Sequence, residues 1–208
     1  MNAQQHVLEE IEVEQFQIKE VLRCLLHTIL FTRALGPVTP TEYESDLFDI
    51  CYARCGSIEV DKTVEEGVQR LIESLEPVGP DLARGSLVLS FYENRKKSFL
   101  GLTSSTERVF WEQWTVPVLV NLRPRAVGGS EASALERERR QAQVESALRA
   151  SVLLATKLAG SKTEHIPPIN FGITAPITFP YEIKIARPSD VGASWFSRLL
   201  TSEPPRLS

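Results

Sequence analysis

The sequence predicts an α+β domain in which an antiparallel sheet packs against about three helices. Two kinds of periodicity carry that expectation: three stretches repeat their apolar residues every three or four positions, and between them lie runs that alternate at period two. A third observation bounds it. The chain has 208 residues, 42% hydrophobic and 24% charged, which suits one sizeable core, so residues 1–200 are expected to form a single domain and 201–208 a flexible tail.

The elements follow in order. Val7, Leu8, Ile11 and Val13 alternate weakly and predict a first strand that runs into a helix. From Phe16 onward Ile18, Val21, Leu22, Leu25, Leu26, Ile29 and Leu30 recur at helical spacing, with so few polar residues between them that this helix should be central and covered on much of its circumference. Gly36-Pro37 and Pro40 stop it, and Thr39 to Asp46 reads as a loop. Leu47 to Arg54 predicts a strand, with Phe48, Ile50 and Tyr52 on one face. Asp61 is placed to cap a second helix whose stripe is Val64, Val68, Leu71, Ile72 and Leu75, and Pro77, Gly79 and Pro80 end it.

Leu87, Leu89 and Phe91 alternate with Val88, Ser90 and Tyr92, a strand that leads to the basic tip Arg95-Lys96-Lys97. The return strand is expected from about Phe110-Trp111, with Trp114, Val116, Val118, Val120 and Leu122 on one face. Pro117 interrupts it and should face a sheet edge or a bulge, since proline has no N–H for the ladder. A third helix is expected from about 131 to 159, solvated at Glu136 to Arg140 and packed through Val144, Leu148, Val152, Leu153, Ala155 and Leu158, with Gly160 as its stop. A proline-marked extended segment from Ile166 to Pro176 precedes a last strand, Phe179 to Ile185, and Gly192 to Leu200 has the pattern of a short amphipathic helix.

Charge and composition exclude several functions. Residues 1–76 hold 15 acids and 6 bases, a charge of −9, and the remainder carries +5, for a total of −4. A nucleic-acid binder would gather its basic residues on one face, and Arg95, Lys96 and Lys97 alone are a thin footprint, better read as a solvated hairpin tip. No apolar run reaches the roughly 18 residues of a membrane span, and the opening residues lack a secretory pattern, so a cytoplasmic protein is expected. Three cysteines are too few for a disulfide framework.

Catalytic patterns are missing: there is no phosphate loop, no His-x-x-x-His and no Gly-x-Ser-x-Gly. Cys51-x-x-x-Cys55 with His27 or His165 is a poor match to zinc spacing, and Cys24 with His27 on an apolar helix reads as core filling. His6 and His165 stand in terminal and loop contexts and are expected to be solvated. More informative are Phe99, Leu100 and Leu102, apolar residues in a Ser, Thr and Gly context, which read either as a docking tip or as a loop folded over a sheet edge. Trp195, Phe196, Leu199 and Leu200 pose the same question, because a short helix needs cover on its apolar side.

Three segments sharpen the reading: Leu25-Leu26-His27-Thr28-Ile29-Leu30, Phe91-Tyr92-Glu93-Asn94-Arg95-Lys96-Lys97-Ser98, and Trp111-Glu112-Gln113-Trp114-Thr115-Val116. The order of elements resembles a HORMA domain, and these segments look like the autophagy-related protein 101 family. The resemblance implies a non-enzymatic scaffold of the open, unlatched HORMA type, without cofactor or metal. It further implies pairing with the HORMA domain of autophagy-related protein 13 within the autophagy-initiation kinase complex, at the preautophagosomal structure and in peripheral proximity to membrane.

That family projects a Trp-x-Phe finger that recruits downstream factors. Here Phe99 and Leu100-Gly101-Leu102 occupy its place, an apolar tip without the indole anchor. Trp195, Phe196, Leu199 and Leu200 form a separate C-terminal docking helix in this reading. Two competing readings are a HORMA adaptor of the mitotic-checkpoint or DNA-repair type that captures a peptide motif, and a small enzyme using Cys24, Cys51, Cys55 and His27.

Overall fold

The computed structural model describes residues 3–99, 103–123, 131–161, 163–169 and 177–186. In chain order these form β1 (Gln4–Val7), β2 (Ile11–Glu14), α1 (Ile18–Thr32), β3 (Thr41–Glu44), β4 (Cys51–Arg54), α2 (Ile58–Glu73), β5 (Glu76–Gly79), β6 (Leu82–Phe99), β7 (Thr103–Asn121), α3 (Glu131–Ser161) and β8 (Tyr181–Ile185). The main sheet runs β1-β7-β6-β5, with β2 also on β7 and β8 also on β6. A separate ribbon joins β3 and β4. The architecture is α+β, a sheet against three helices, and is consistent with a HORMA-like fold. Its ladders are antiparallel among β5 to β8 and parallel where β1 and β2 meet β7.

Leu87, Leu89 and Phe91 of β6 and Trp114, Val116, Val118 and Val120 of β7 form the inner sheet face, and α1 packs against it, against α3 and against α2. Ile18, Val21, Leu22, Leu25, Leu26, Ile29 and Leu30 are all buried, so α1 is the central helix its pattern predicts. Gln17, just before α1, fixes its start. Its Oε1 accepts from the Glu14 N–H at 2.9 Å and its Nε2 donates to Gln141 of α3 at 2.6 Å.

Pro117 explains why the first strand is broken in two. Thr115 offers its carbonyl to Leu8 N–H, and Pro117, two residues on, faces the same side with no donor to give. Pairing with β1 ends at Val7 opposite Thr115 and resumes with β2 at Ile11 opposite Val118, so the proline sits in the gap. The bulge lies elsewhere: Phe91 pairs with Glu112 and Tyr92 with Phe110, leaving Trp111 as the extra residue.

Five expectations are corrected. Ser57, not Asp61, caps α2, its hydroxyl accepting from the Val60 N–H, and Asp61 lies in the first turn where its charge meets the helix dipole. The region read as a loop contains β3, and the expected strand from Leu47 is regular only from Cys51. Ser45 Oγ accepts from the Leu47 and Phe48 N–H groups and closes the chain into a turn between β3 and β4. Residues 76–79, read as a stop, form β5. Leu153, expected in the core, is 70% exposed, because α3 packs through Val144, Leu148, Ser151, Ala155 and Ala159.

Candidate interaction site

β6 and β7 outrun their neighbours. β8 covers β6 only at Leu87 to Phe91 and β1 covers β7 only at Glu112 to Thr115. Beyond these, from Glu93 opposite Val109 to Phe99 opposite Thr103, the two strands pair with each other alone among the described residues. Seven residue pairs at about 3.4 Å each make an arm of roughly 20 Å. The basic tip and the expected return point therefore lie within one continuous hairpin, longer than the sequence reading allowed.

The base of the arm is braced. Tyr92 and Phe110 face each other across the strands with ring centroids 5.5 Å apart. The Arg108 guanidinium lies 4.9 Å over the Tyr92 ring and reaches Glu182 of β8 at 3.4 Å, and Lys184 also pairs with Glu182 at 2.5 Å. Arg95 pairs with Glu93 on the arm itself. The backbone of Phe99 stands at the end of the described arm, while Leu100 and Leu102 lie outside the described residues, as do Trp195, Phe196, Leu199 and Leu200.

Under the arm, the bulge at Trp111 turns both Trp111 and Glu112 inward. Glu112 is fully buried and carries the densest polar network described. The Arg33 guanidinium, 2% exposed, donates to it from Nε at 2.9 and 3.1 Å and from Nη2 at 2.7 Å. The Trp114 indole N–H donates to Glu112 Oε1, and His165 Nε2 lies 2.5 Å from Oε2. A further Arg33 nitrogen, Nη1, donates to the carbonyl of Ala159 at 3.1 Å, so one side chain ties the end of α1, the last turn of α3 and β7. Burial pushes the Glu112 carboxyl up, but the hydrogen bonds from Arg33 and His165, the Arg33 charge and the Trp114 N–H outweigh it and hold the group below its ordinary value.

His6 and His165 are thus not solvated, as their contexts suggested. Parallel pairing sets His6 opposite Trp114, where it is buried and stacked at 4.2 Å, and the chain leaving α3 brings His165 onto Glu112. With Glu112 they are, among the described residues, the group of metal-ligand atoms that converges, all within 4.8 Å. The arrangement does not fit a metal. Two ligands of a tetrahedral zinc stand roughly 3.4 Å apart, wider than the His165 to Glu112 contact, and Arg33 already neutralises the carboxylate.

The thiols and His27 lie apart from this network. Cys24 is buried, and burial together with the Glu20 charge, opposed by the Thr28 hydroxyl, pushes its thiol up to about 12. Burial and Asp61 push Cys55 up to about 11. Cys51 is exposed and donates to Glu42 at 3.1 Å, which raises its pKa. His27 is buried on α1, and burial followed by the Arg54 and Arg23 charges lowers its pKa to about 3. Cys24, Cys55 and His27 are buried in the core around α1.

The sequence profile described as Autophagy-related protein 101 matches residues 10–171, which spans β2 through the network at His165. The chain belongs to the autophagy-related protein 101 family. It is 39% identical to Autophagy-related protein 101 of Arabidopsis thaliana over 220 residues, covering 100% of this chain and 99% of that one. Against the proteins of the same name from Homo sapiens and Bos taurus it is 31% identical over 133 residues, 58% of this chain and 59% of each relative. It is therefore an autophagy-related protein, and no helix among its described residues is long and apolar enough to cross a membrane.

Proposed function

We propose that this chain is a non-catalytic scaffold of the autophagy-initiation kinase complex. In this reading residues 1–200 are one HORMA domain of the open type, residues 201–208 are a tail, and the domain pairs with the HORMA domain of autophagy-related protein 13. The arm of β6 and β7 then offers Phe99, Leu100 and Leu102 to a downstream factor, and Trp195, Phe196, Leu199 and Leu200 supply a second contact. The protein works in the cytoplasm and at the preautophagosomal structure.

The observation that carries this reading is the arm itself. An extension of seven pairs, braced at its base by Tyr92 against Phe110 and without a flanking strand among the described residues, supports it. A chain that acts by contact needs such a feature.

Co-purification of the full chain with the HORMA domain of autophagy-related protein 13 tests the pairing, and the variant Phe99→Ser, Leu100→Ser, Leu102→Ser tests the tip. The variant is expected to stay soluble, to keep the HORMA partner and to lose recruitment of the later factor. Failure to bind the HORMA domain at micromolar concentrations, or capture of a short peptide in its place, would reject the scaffold reading.

A further inference from the structure

We propose that His165 is a clasp: a positioning residue that fastens the chain leaving α3 to the sheet, so that residues 163–169 open as a local unit when it lets go while the network beneath stays closed. Residues 163–169 have no helix or strand. Within the segment the Ile166 N–H bonds to the Thr163 carbonyl at 3.1 Å, and among the described residues the bond tying it to the sheet is that of His165 to Glu112. Ile166 and Ile169 rest half-buried against the core. Pro167 and Pro168 carry no N–H, so departure of the segment strands no backbone donor there.

What makes the clasp releasable is the rest of the network. When His165 leaves, Glu112 keeps the paired Arg33 guanidinium and the Trp114 indole N–H, and Arg33 keeps the Ala159 carbonyl. No buried charge loses its counter-charge, so the opening avoids the penalty that breaking Arg33 from Glu112 would incur. His6, Arg33 and Glu112 are the charged or titratable groups that surround the clasp, from β1, the end of α1 and β7. Opening uncovers Trp111, whose ring lies 5.7 Å from that of His165.

Hydrogen exchange followed by mass spectrometry on the full chain tests this, comparing wild type with His165→Ala and His165→Gln. His165→Ala should speed exchange in residues 163–169 roughly tenfold or more, with α1 and β7 unchanged. His165→Gln, which keeps a donor, should restore part of the protection. Unchanged exchange in the segment, or faster exchange spread over α1 and β7, would overturn the proposal. Failure of both variants to give soluble protein would do the same, by placing His165 in the core.

Discussion

Acidification from pH 7 to pH 5 should cost the folded chain about 2 kcal/mol through one side chain, His27. Its ring is 2% exposed on α1, stacks on Tyr52 at 6.1 Å, and has Asp61 Oδ1 at 3.7 Å from Nε2 with Arg54 and Arg23 nearby. Burial and the two guanidinium charges bring its pKa from 6.5 to about 3, so the folded ring is neutral and its approach to Asp61 is not an ion pair. In the unfolded chain the ring takes up a proton at its ordinary value. Between about 6.5 and about 3 the unfolded state therefore binds more protons, and stability is full above that window and falls as the pH drops through it.

Glu112 does not contribute within pH 7 to 5, because a carboxyl held below its ordinary 4.5 gives up stability only as the pH falls through that value and beyond. Urea unfolding at both pH values, for wild type and His27→Phe, isolates the effect, since every other titrating group is common to the two proteins. Wild type should lose about 2 kcal/mol more than the variant, or roughly 4–8 °C in Tm. Equal pH dependence in the two proteins would show that the buried ring accepts its proton, and the burial argument would fail.

Three further outcomes follow from the same geometry. Glu112→Gln removes the charge partner of a buried guanidinium and should cost about 3–5 kcal/mol in urea unfolding at pH 7, with the double variant Arg33→Met, Glu112→Gln recovering part of it. Gly67→Ala places a Cβ 2.7 Å from Ile183 Cγ2, on a β-branched side chain that cannot swing away. The clash should outweigh the gain in helix propensity by about 1 kcal/mol and speed exchange of the β8 amides. Saturating HORMA partner should raise the melting midpoint of the chain, and an unchanged midpoint would count against the pairing.

Much of the frame was legible because it rests on local periodicity. The stripe of α1 and the alternation of Leu87, Leu89 and Phe91 each report a buried face directly. The site was less so. Glu112 stands out as an acid between two tryptophans, yet its partners Arg33 and His165 are 79 and 53 residues away, and only the fold joins them. His6 gave no signal, since its burial depends on parallel pairing with β7, which no turn sequence announces. The arm was foreshortened because its sequence, rich in Arg, Lys, Ser and Thr, lacks the apolar alternation that marks a half-buried strand. Ser57 was passed over for Asp61 because the apolar stripe begins only at Val60 and Val64, one turn inside the true start.

The arm also sets a condition on how the protein can be kept apart from its own copies. Both of its strands carry unpaired edges along the described length, an invitation to another extended chain, and the charges of Glu93, Arg95, Glu107 and Arg108 discourage uninvited pairing. Stripping those charges in a search for a binding motif would therefore produce sticky, self-templating protein, and a lost interaction in such a variant would report on aggregation before it reported on recognition.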